Sequence, residues 1–398
     1  MRSNWRAYPL GEITELVIDY RGKTPKKLGG DWSESGYRAL SAKNIKTGHI
    51  VQPDTIRFVS EEMYHKWMKD EIQRGDIIIT SEAPFGQILY WDSEEKIVLS
   101  QRLFGVRVKE EHDSKFVYYY MTTSDFQGEM DGRATGTTVV GLRQPELMKC
   151  VVRCPDLDTQ KKIASILSSI DEKILINDKI NENLQQQAKA IFANEFLSFE
   201  ELPVGWKQGS LIDIADYLNG LAMQKYRPAA DEVGIPVLKI KELRQGYCDA
   251  TSELCSPNIK TNYIIHDGDV IFSWSGSLLV DFWCGGICGL NQHLFKVTSS
   301  VYDKWFYYAW TKHHLERFIA VAADKATTMG HIKRDELAKA EVLIPNEKDY
   351  NRIGALLQPI FDLIISNRIE NKKLAETRDT LLPKLMSGEI DISEVDYE

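Results

Sequence analysis

A long stripe of mostly apolar residues occurs twice in this chain, and the two copies lie 190 positions apart. The first copy contains Ile163, Ile166, Ile170, Ile174 and Asn177, and the second contains Ile353, Leu356, Ile360, Ile364 and Asn367. Steps of three and four residues place each set on one face of a helix, with the spacing of a coiled-coil seam. The first stripe continues through Leu184, which predicts a helix over residues 160–193. The chain is therefore interpreted as an internal duplication in which a long helix closes each copy.

Other short motifs recur in the same order before each helix. The matched pairs are Trp5 with Trp206, Gly75-Asp76-Ile77 with Gly268-Asp269-Val270, 99–104 with 290–295, and Gly136-Thr137-Thr138 with Ala326-Thr327-Thr328. Short β-branched and aromatic runs alternate with Gly, Pro and Asp turns, and in the first copy they predict strands over 76–81, 87–91, 96–99 and 103–108. Each copy is thus predicted to form an α+β lobe with a mostly antiparallel sheet. The predicted domains are a first lobe over 1–155, a helical spacer over 156–201, a second lobe over 202–345, and a helical spacer with the tail over 346–398.

The two helices are expected to pair as an antiparallel coiled coil with pseudo-two-fold symmetry, which holds the lobes at opposite ends. A helix of about 34 residues is ~50 Å long at ~1.5 Å per residue. Asn177 and Asn367 occupy equivalent seam positions and are predicted to pair, since a polar seam residue fixes the register. The alternative is that each asparagine faces solvent on a frayed turn. Pro359 is expected to kink or restart the second helix because proline cannot donate the helical hydrogen bond.

The formal net charge of −9 is concentrated outside the two lobes. Residues 1–155 carry 22 basic and 22 acidic side chains and residues 202–345 carry 15 and 16, whereas residues 156–201 carry 5 and 9 and residues 346–398 carry 7 and 11. Near-neutral lobes leave room for a basic face, so the overall charge does not exclude a nucleic-acid partner. The chain has six cysteines and no run of 18 apolar residues. These features favour a cytoplasmic protein with free thiols.

Two patterns that are typical of metal sites are better explained without a metal. Asp54 followed by Glu94-Glu95-Lys96 has the residue types of a Mg²⁺-dependent nuclease, but the second copy has no counterpart, so a solvated turn is favoured. Four cysteines of the second copy have spacings that differ from those of zinc knuckles, and buried free thiols are favoured for them. These cysteines are Cys248, Cys255, Cys284 and Cys288. The sequence therefore predicts no catalytic residue and no bound metal in this chain.

A polar loop that suits phosphate oxygens occurs in each lobe. Its members combine hydroxyl groups, small residues and a nearby cation, and such loops position proteins on nucleic-acid backbones. In the first lobe they are Arg133, Thr135, Gly136, Thr137 and Thr138, and in the second they are Lys325, Thr327, Thr328 and His331. A plain turn is the alternative interpretation of each loop.

Each lobe also contains side chains that can read base edges. The donor sets of arginine, glutamine, asparagine and histidine suit guanine and adenine, and lysines add contacts to the backbone. The first-lobe candidates are Lys43, Asn44, Lys46, Ser81, Gln101 and Arg102, and the second-lobe candidates are Lys239, Lys241, Ser273, Trp274, Asn291, Gln292 and His293. The framework residues of the two lobes match, whereas the polar residues between them differ. Two lobes of this kind are predicted to recognise two different sequences.

Along essentially its whole length the chain resembles the specificity subunit of type I restriction-modification systems. The resemblance lies in the lobe starts at Trp5 and Trp206, the turns at 75–77 and 268–270, the Gly136-Thr137-Thr138 motif, and the segments 162–174 and 382–390. It implies two target recognition domains, each of which reads one half of a split, asymmetric DNA sequence, with the helices as the spacer. It also implies two modification subunits that methylate adenine with S-adenosylmethionine, and restriction subunits that use ATP and Mg²⁺ for translocation and cleavage. The chain itself is then expected to be a non-catalytic DNA-binding subunit without a cofactor.

Two other interpretations stay open at this point. A self-sufficient nuclease or methyltransferase would need a metal or cofactor site that the motifs do not supply. A coiled-coil interaction rod would keep the helices without binding DNA, and it requires Arg102→Ala and His293→Ala to leave DNA target choice unchanged. For a specificity subunit, ~50 Å of helix at ~3.4 Å per base pair spans on the order of 15 base pairs between the far ends of the target.

Overall fold

The computed structural model describes residues 5–136, 140–324, 332 and 334–392. The chain forms two compact units, one made of Met1–Glu172 with Glu376–Glu398 and the other of Lys173–Ala375. Each unit contains one lobe and a part of each long helix. In the described part of the chain, no helix is both long enough and apolar enough to cross a membrane.

The first lobe combines small sheets with short helices, and the long helix α6 follows it. Its strands are β1 (Arg6–Pro9), β2 (Thr14–Asp19), β3 (Tyr37–Leu40), β4 (Ile45–Lys46), β5 (His49–Ile50), β6 (Arg57–Val59), β7 (Ile77–Thr80), β8 (Ile88–Tyr90), β9 (Val98–Leu99), β10 (Leu103–Val108) and β11 (Val151–Cys154). Its helices are α1 (Leu10–Ile13), α2 (Glu61–Trp67), α3 (Ser114–Met121), α4 (Ser124–Arg133) and α5 (Gln144–Leu147), and α6 spans Leu157–Phe196.

The central sheet of the first lobe has the strand order β2-β10-β7-β8 and is antiparallel throughout. Side chains alternate between its two faces, as a period of two requires. Ile77 and Ile79 pack into the cluster that contains α3, whereas Ile78 packs into a second cluster with α2 and the sheet β6-β3-β9. Both faces of the sheet are therefore covered, which explains the continuous apolar run in β7.

The second lobe repeats this plan, and the long helix α12 follows it. Its strands are β12 (Lys207–Ser210), β13 (Asp216–Asn219), β14 (Ile235–Leu238), β15 (Leu254–Cys255), β16 (Ile264–Ile265), β17 (Val270–Ser273), β18 (Leu279–Phe282), β19 (Cys288–Leu290), β20 (Leu294–Thr298) and β21 (Glu341–Ile344). Its helices are α7 (Leu211–Ile214), α8 (Ile240–Gln245), α9 (Lys304–His313), α10 (Leu315–Asp324) and α11 (Arg334–Ala338), and α12 spans Glu347–Met386. The central order β13-β20-β17-β18 corresponds strand by strand to that of the first lobe. The predicted fold of two α+β lobes, each followed by a long helix, is confirmed, whereas the predicted domain boundaries stay a prediction.

Both long helices complete the hydrophobic core of each lobe. In the first unit, the core includes Leu167 from α6 together with Leu385 and Met386 from α12. In the second unit, the core includes Phe192 from α6 and Leu357 from α12. Each lobe thus buries apolar surface against one end of either helix, and the helices are part of the lobe cores as well as of the seam.

Paired side chains show that α6 and α12 run antiparallel. Within the second unit, Asn177 pairs with Asn371, Asn181 pairs with Asn367, and Glu195 pairs with Arg352. Within the first unit, Asp171 pairs with Arg378 at 2.7 Å. Residue numbers rise along one helix as they fall along the other, which is the signature of antiparallel neighbours.

The seam asparagines pair in a different way from the sequence prediction. Asn177 and Asn367 are buried, so the interpretation that they face solvent is wrong. They do not pair with each other, because Asn177 donates to Asn371 Oδ1 at 2.8 Å and Asn367 donates to Asn181 Oδ1 at 2.9 Å. The two contacts are equivalent under the 190-residue offset, because the offset converts Asn177 into Asn367 and Asn181 into Asn371. Asn177 also donates to Glu370, and this hydrogen bond lowers the pKa of Glu370.

The predicted seam is correct at most positions and wrong at one. Ile163, Ile353 and Ile364 are buried, and partly buried side chains continue the seam at Ile166, Ile170, Ile174, Leu184 and Ile360. Leu356 is 45% exposed, whereas the neighbouring Leu357 is fully buried in the second-lobe core. The stripe takes a step of four from Ile353 at this point, because Leu357 rather than Leu356 faces the lobe.

Pro359 does not end α12, which continues from Glu347 to Met386. The side chain of Pro359 is exposed. A proline removes one helical hydrogen bond, and here the bonding of the flanking turns is sufficient to continue the helix. The predicted restart at Pro359 is therefore wrong.

We expect Leu357→Ala to destabilise the second unit by about 2–5 kcal/mol, because the substitution leaves a cavity in a closed core. Leu356→Ala, one residue away, should cost less than about 1 kcal/mol since that side chain is half exposed. Hydrogen exchange of α12 amides, followed by mass spectrometry, measures the difference: Leu357→Ala should accelerate it by about 30-fold or more. Equal effects of the two substitutions would contradict this assignment of the seam.

Candidate nucleic-acid interface

The predicted base-reading residues Gln101 and Arg102 are exposed at one end of the central sheet of the first lobe. Thr80 at the end of β7 pairs with Leu103 at the start of β10, and Asp19 at the end of β2 pairs with Phe104. The chain segments just beyond these strand ends are consequently neighbours. We call their polar residues the first sheet end, and its members are Asp19, Arg21, Glu82, Gln101 and Arg102.

Backbone hydrogen bonds fix the position of Arg102 within the first sheet end. The Ser81 N–H donates to the Arg102 carbonyl at 2.8 Å, and the Leu142 N–H donates to the Ser81 carbonyl at 3.0 Å. Arg102 has a φ of 68°, which non-glycine residues rarely adopt. Its guanidinium lies 2.9 Å from Glu82, Nε to Oε1, and its side chain is 46% exposed. The structure thus holds a solvent-facing arginine beside a carboxylate.

Arg21 belongs to the first sheet end, although the sequence analysis missed it. Its guanidinium forms two 2.8 Å contacts with Asp19 and lies 4.0 Å from the ring centroid of Phe104. It also donates to the carbonyl of Leu142 at 3.4 Å. No predicted strand precedes Arg21 in the sequence, and its contact with Leu142 spans 121 positions.

The predicted phosphate loop of the first lobe lies next to this sheet end. Thr135 and Gly141 exchange two backbone hydrogen bonds, and Gly141 forms a bridge with Glu82. Thr135 and Gly136 are exposed, whereas Thr137 and Thr138 lie outside the described residues. Arg133 pairs with Glu129 at 3.2 Å. The structure therefore brings the base of this loop and the base-reading candidates together.

A third segment, residues 41–46, joins them through the Ala42 N–H, which donates to the Gln101 carbonyl at 3.3 Å. Lys43 and Lys46 are exposed on this segment. Asn44 is only 1% exposed: its Oδ1 accepts from the Ser41 backbone N–H and hydroxyl, and its Nδ2 donates to Thr55. Asn44 holds the segment in shape and is not placed to contact DNA.

The structure does not support Ser81 and Ser273 as base-reading residues, because both side chains are buried. They are 2% and 0% exposed, respectively. Ser273 donates to the carbonyl of Ser277 at 2.9 Å. Ser81 directly follows β7 and Ser273 ends β17, and both side chains are buried, so they support the sheet end without facing a partner.

The second lobe has an equivalent sheet end built on the same backbone contacts. The Trp274 N–H donates to the His293 carbonyl at 3.4 Å, and the Ile332 N–H donates to the Trp274 carbonyl at 2.9 Å. Trp274 and His293 thereby correspond to Ser81 and Arg102 of the first lobe. We call the polar residues here the second sheet end, and its members are Asn219, Trp274, Ser275, Gln292 and His293.

Side-chain contacts in the second sheet end differ from those in the first. Ser275 Oγ lies 3.0 Å from His293 Nδ1, and Gln292 Nε2 lies 3.3 Å from His293 Nε2. The indole Nε1 of Trp274 donates to Asn219 at 3.0 Å. Asn291 is 7% exposed and accepts from the His293 N–H, so it orients the turn and is poorly placed to read a base.

The second-lobe lysines are engaged in surface ion pairs. Lys239 contacts Glu253 at 2.5 Å, and this hydrogen bond lowers the pKa of Glu253. Lys241 lies 3.2 Å from Asp249, whose pKa is lowered by hydrogen bonds from Thr251 and Lys241. Exposed ion pairs are weak and exchange readily. The loop candidates Lys325, Thr327, Thr328 and His331 lie outside the described residues.

Neither metal-like pattern gathers into a site in the part of the chain that the structure describes. Glu95 pairs with Arg38 at 2.6 Å and Lys96 pairs with Glu71 at 3.0 Å, as expected for a charged surface turn. No group of three or more His, Cys, Asp or Glu that could hold a metal ion occurs among these residues. Cys255 and Cys284 are buried free thiols, and burial raises the pKa of each to about 11.

Comparison with known proteins agrees with this architecture. A family model described as the type I restriction modification DNA specificity domain matches residues 2–186 and 203–376. The MjaIX specificity subunit of Methanocaldococcus jannaschii is 26% identical over 347 residues, covering 81% of this chain and 79% of that protein. The HindI specificity subunit of Haemophilus influenzae is 21% identical over 418 residues, covering 81% and 88%. A crystal structure of the type I restriction-modification system S subunit from M. genitalium has the same fold, with a TM-score of 0.57, 15% identity and 96% of each chain covered.

Two lobes with one backbone plan and different polar ends define a protein with two recognition domains. The matched residues cover most of the chain, which therefore belongs to the type I restriction modification DNA specificity family. Within that family it is a specificity subunit, the non-catalytic part of a type I restriction-modification complex.

We expect Asn44→Ala to loosen the segment that follows β3, because it removes an acceptor and a donor from a buried network. A loss of about 1–3 kcal/mol is typical for such a change, and it should appear as faster hydrogen exchange over residues 41–55. Lys43→Ala is the control, since its side chain is exposed and should leave that exchange unchanged. If Asn44→Ala left exchange unaltered and changed only DNA target choice, the structural role given to Asn44 would be wrong.

Proposed function

We propose that this subunit binds double-stranded DNA and reads a split, asymmetric target, with one half-site for each lobe. Partner subunits then methylate adenine and cleave DNA at places that this choice of target determines. The observation that carries the proposal is the pair of sheet ends: the same backbone hydrogen bonds hold Arg102 in one lobe and His293 in the other. A common frame with different side chains is what two different half-sites require.

Each sheet end supplies the two kinds of contact that DNA recognition combines. Contacts to phosphate position a protein, whereas contacts to base edges specify sequence. In the first lobe, Arg102 and Gln101 are exposed donors for base edges, and Lys43, Lys46 and Thr135 are exposed nearby for phosphate. In the second lobe, Gln292 and His293 take the base-reading role, and Lys239 and Lys241 can exchange their surface carboxylates for phosphate.

The chemistry of the complex belongs to other chains in this proposal. Two modification subunits supply the adenine methyltransferase with S-adenosylmethionine, and restriction subunits supply translocation and cleavage with ATP and Mg²⁺. The long helices are their proposed docking region, because exposed Asn, Gln and acidic residues line α6. At 40 residues α6 is ~60 Å long, somewhat more than the sequence prediction. We further propose that helix length sets the unread gap.

The two rival functions have less support. A self-sufficient nuclease or methyltransferase has no metal-binding group of residues behind it in the described part of the chain, where Glu95 and Lys96 are engaged in surface ion pairs. An interaction rod accounts for the helices but leaves the matched frames of the two sheet ends without a role. Loss of DNA cleavage by Glu94→Ala in the purified single chain would revive the enzyme hypothesis.

We expect Arg102→Gly to relax the requirement at one base pair of one half-site by about 1–3 kcal/mol, the usual value of a bidentate base contact. Glycine is the better truncation here because it adopts the positive φ of this position without strain. Arg74→Ala is the matched control: Arg74 is also an exposed arginine paired with a carboxylate, Asp92, but it precedes β7 at the opposite end of the sheet. Its loss should leave base preference unchanged, and the rod would be favoured if Arg102→Gly left base preference unchanged as well.

The test of the whole function is a methylation map. The chain is co-expressed with its cognate modification subunit in a host that lacks adenine methylation, and N6-methyladenine is located across the genome. The expected result is one split motif with a fixed gap, and exchange of one lobe for that of another specificity subunit should change one half alone. A stable complex that methylates no defined motif would contradict the proposal.

A further inference from the structure

We infer that the two lobes read different classes of base pair, and that a neighbouring residue in each lobe determines the class by holding the reading side chain. Glu82 holds Arg102 for a guanine of a G·C pair, and Ser275 holds His293, which positions Gln292 for an adenine of an A·T pair. The inference rests on the proposed function and adds the class of target to it. Glu82 and Ser275 are positioning residues in this scheme.

The first lobe is built to present a fixed, charged donor. Arg102 is fixed at its backbone by the hydrogen bond from the Ser81 N–H and at its side chain by Glu82, with Nε and Oε1 2.9 Å apart. The contact with Glu82 uses Nε, the inner nitrogen of the guanidinium. The two terminal nitrogens carry N–H groups that can donate in parallel to O6 and N7 of guanine in the major groove. Holding the side chain beforehand reduces the rotamer freedom that binding must remove.

The second lobe is built around a neutral imidazole. The Gln292 amide nitrogen can only donate, so His293 Nε2, 3.3 Å away, must accept from it. The neutral ring then carries its proton on Nδ1, which donates to Ser275 Oγ at 3.0 Å. This chain of contacts orients Gln292 and leaves its amide oxygen and second N–H for a partner. These are the acceptor and donor that adenine N6 and N7 require.

Glu82 and Ser275 occupy corresponding places in the two lobes. Each follows the residue whose N–H donates to the carbonyl of the reading turn, Ser81 in one lobe and Trp274 in the other. One is a carboxylate that holds the cationic reader Arg102, and the other is a hydroxyl that holds the imidazole of His293, which in turn positions the reader Gln292. The charge of the holding residue therefore changes together with the side chain that it holds. Glu82 suits Arg102 but not His293, and Ser275 suits His293 but not Arg102.

A double-mutant cycle in the first lobe tests the positioning role. The complete complex with the cognate modification subunit methylates a library in which every target position is randomised, and base preference is measured position by position. Arg102→Gly should reduce the preference for G·C at one position by roughly 5- to 100-fold. Glu82→Gln, which keeps the shape but removes the charge, should weaken the preference at the same position by about 5-fold or more. The double variant should match Arg102→Gly alone.

The second lobe is tested in the same library with Ser275→Ala and Gln292→Ala. Both should weaken an A·T preference at one position of the other half-site and leave the first half-site unchanged. Asp92→Asn is the control for Glu82→Gln, because Asp92 also pairs with an exposed arginine, Arg74, but at the opposite end of the sheet. It should alter no preference.

Three results would overturn the inference. One is a further change in base preference when Glu82→Gln is added to Arg102→Gly, and another is a loss of preference spread over all positions, since either points to a merely structural role. The third is a first half-site without G·C, or a second without A·T, at the positions that these variants change. Failure of the proposed function looks different, because the unaltered complex would then show no sequence preference at all.

Discussion

Two backbone hydrogen bonds at the end of each central sheet hold the residues that we propose for recognition. In the first lobe they run from Ser81 to the Arg102 carbonyl and from Leu142 to the Ser81 carbonyl, and in the second lobe Trp274, His293 and Ile332 repeat them. Backbone groups in such places must be paired whatever the side chains are. The main chain therefore carries the geometry, and the side chains at the edge remain available for recognition.

The long helices depend on a different constraint, which is that neither lobe closes its own core. Leu167 and Leu385 fill the first core, and Phe192 and Leu357 fill the second, so each core takes residues from both helices. Because α6 and α12 run antiparallel, one pair of helices supplies the missing residues of both cores. The buried contacts of Asn177 with Asn371 and of Asn181 with Asn367 then favour one register, because a slip would leave buried amides unpaired.

Much of this architecture could be predicted from the sequence because its signals are local or repeated. The 190-residue offset revealed the duplication, runs of β-branched and aromatic residues located β7, β8 and β10, and heptad-like spacing located both long helices. Positions that depend on distant contacts were harder to predict. Leu356 and Leu357 are equally apolar, and only the second-lobe core decides between them. Asn44 has the chemistry of a base reader, yet Thr55 and Ser41 enclose it.

The candidate site shows the same division. Arg102 and His293 were found because both follow the same short motif in the two copies. Glu82 was missed because it lies 20 residues before Arg102, and the register of β7 with β10 alone makes the two neighbours. Arg21 was missed since its contact with Leu142 crosses most of the lobe. Motif comparison thus finds side chains that share a frame, whereas the partners that hold them emerge only from strand pairing.

Main-chain hydrogen bonds hold the sheet end in shape, so its exposed side chains can change without a change in the backbone. A substitution at Arg102 or His293 removes no main-chain hydrogen bond, so the sheet end keeps its shape while the exposed donors change. A substitution at the reader alone would, however, leave its holding partner mismatched: without Arg102, the Glu82 carboxylate would face an anionic duplex with no compensating cation. Under the proposed function, the residue that reads the base and the residue that holds it must therefore change together for a lobe to gain a new base preference without losing affinity. The two lobes of this chain, with Glu82 beside Arg102 in one and Ser275 beside His293 in the other, have the compositions that this requirement demands.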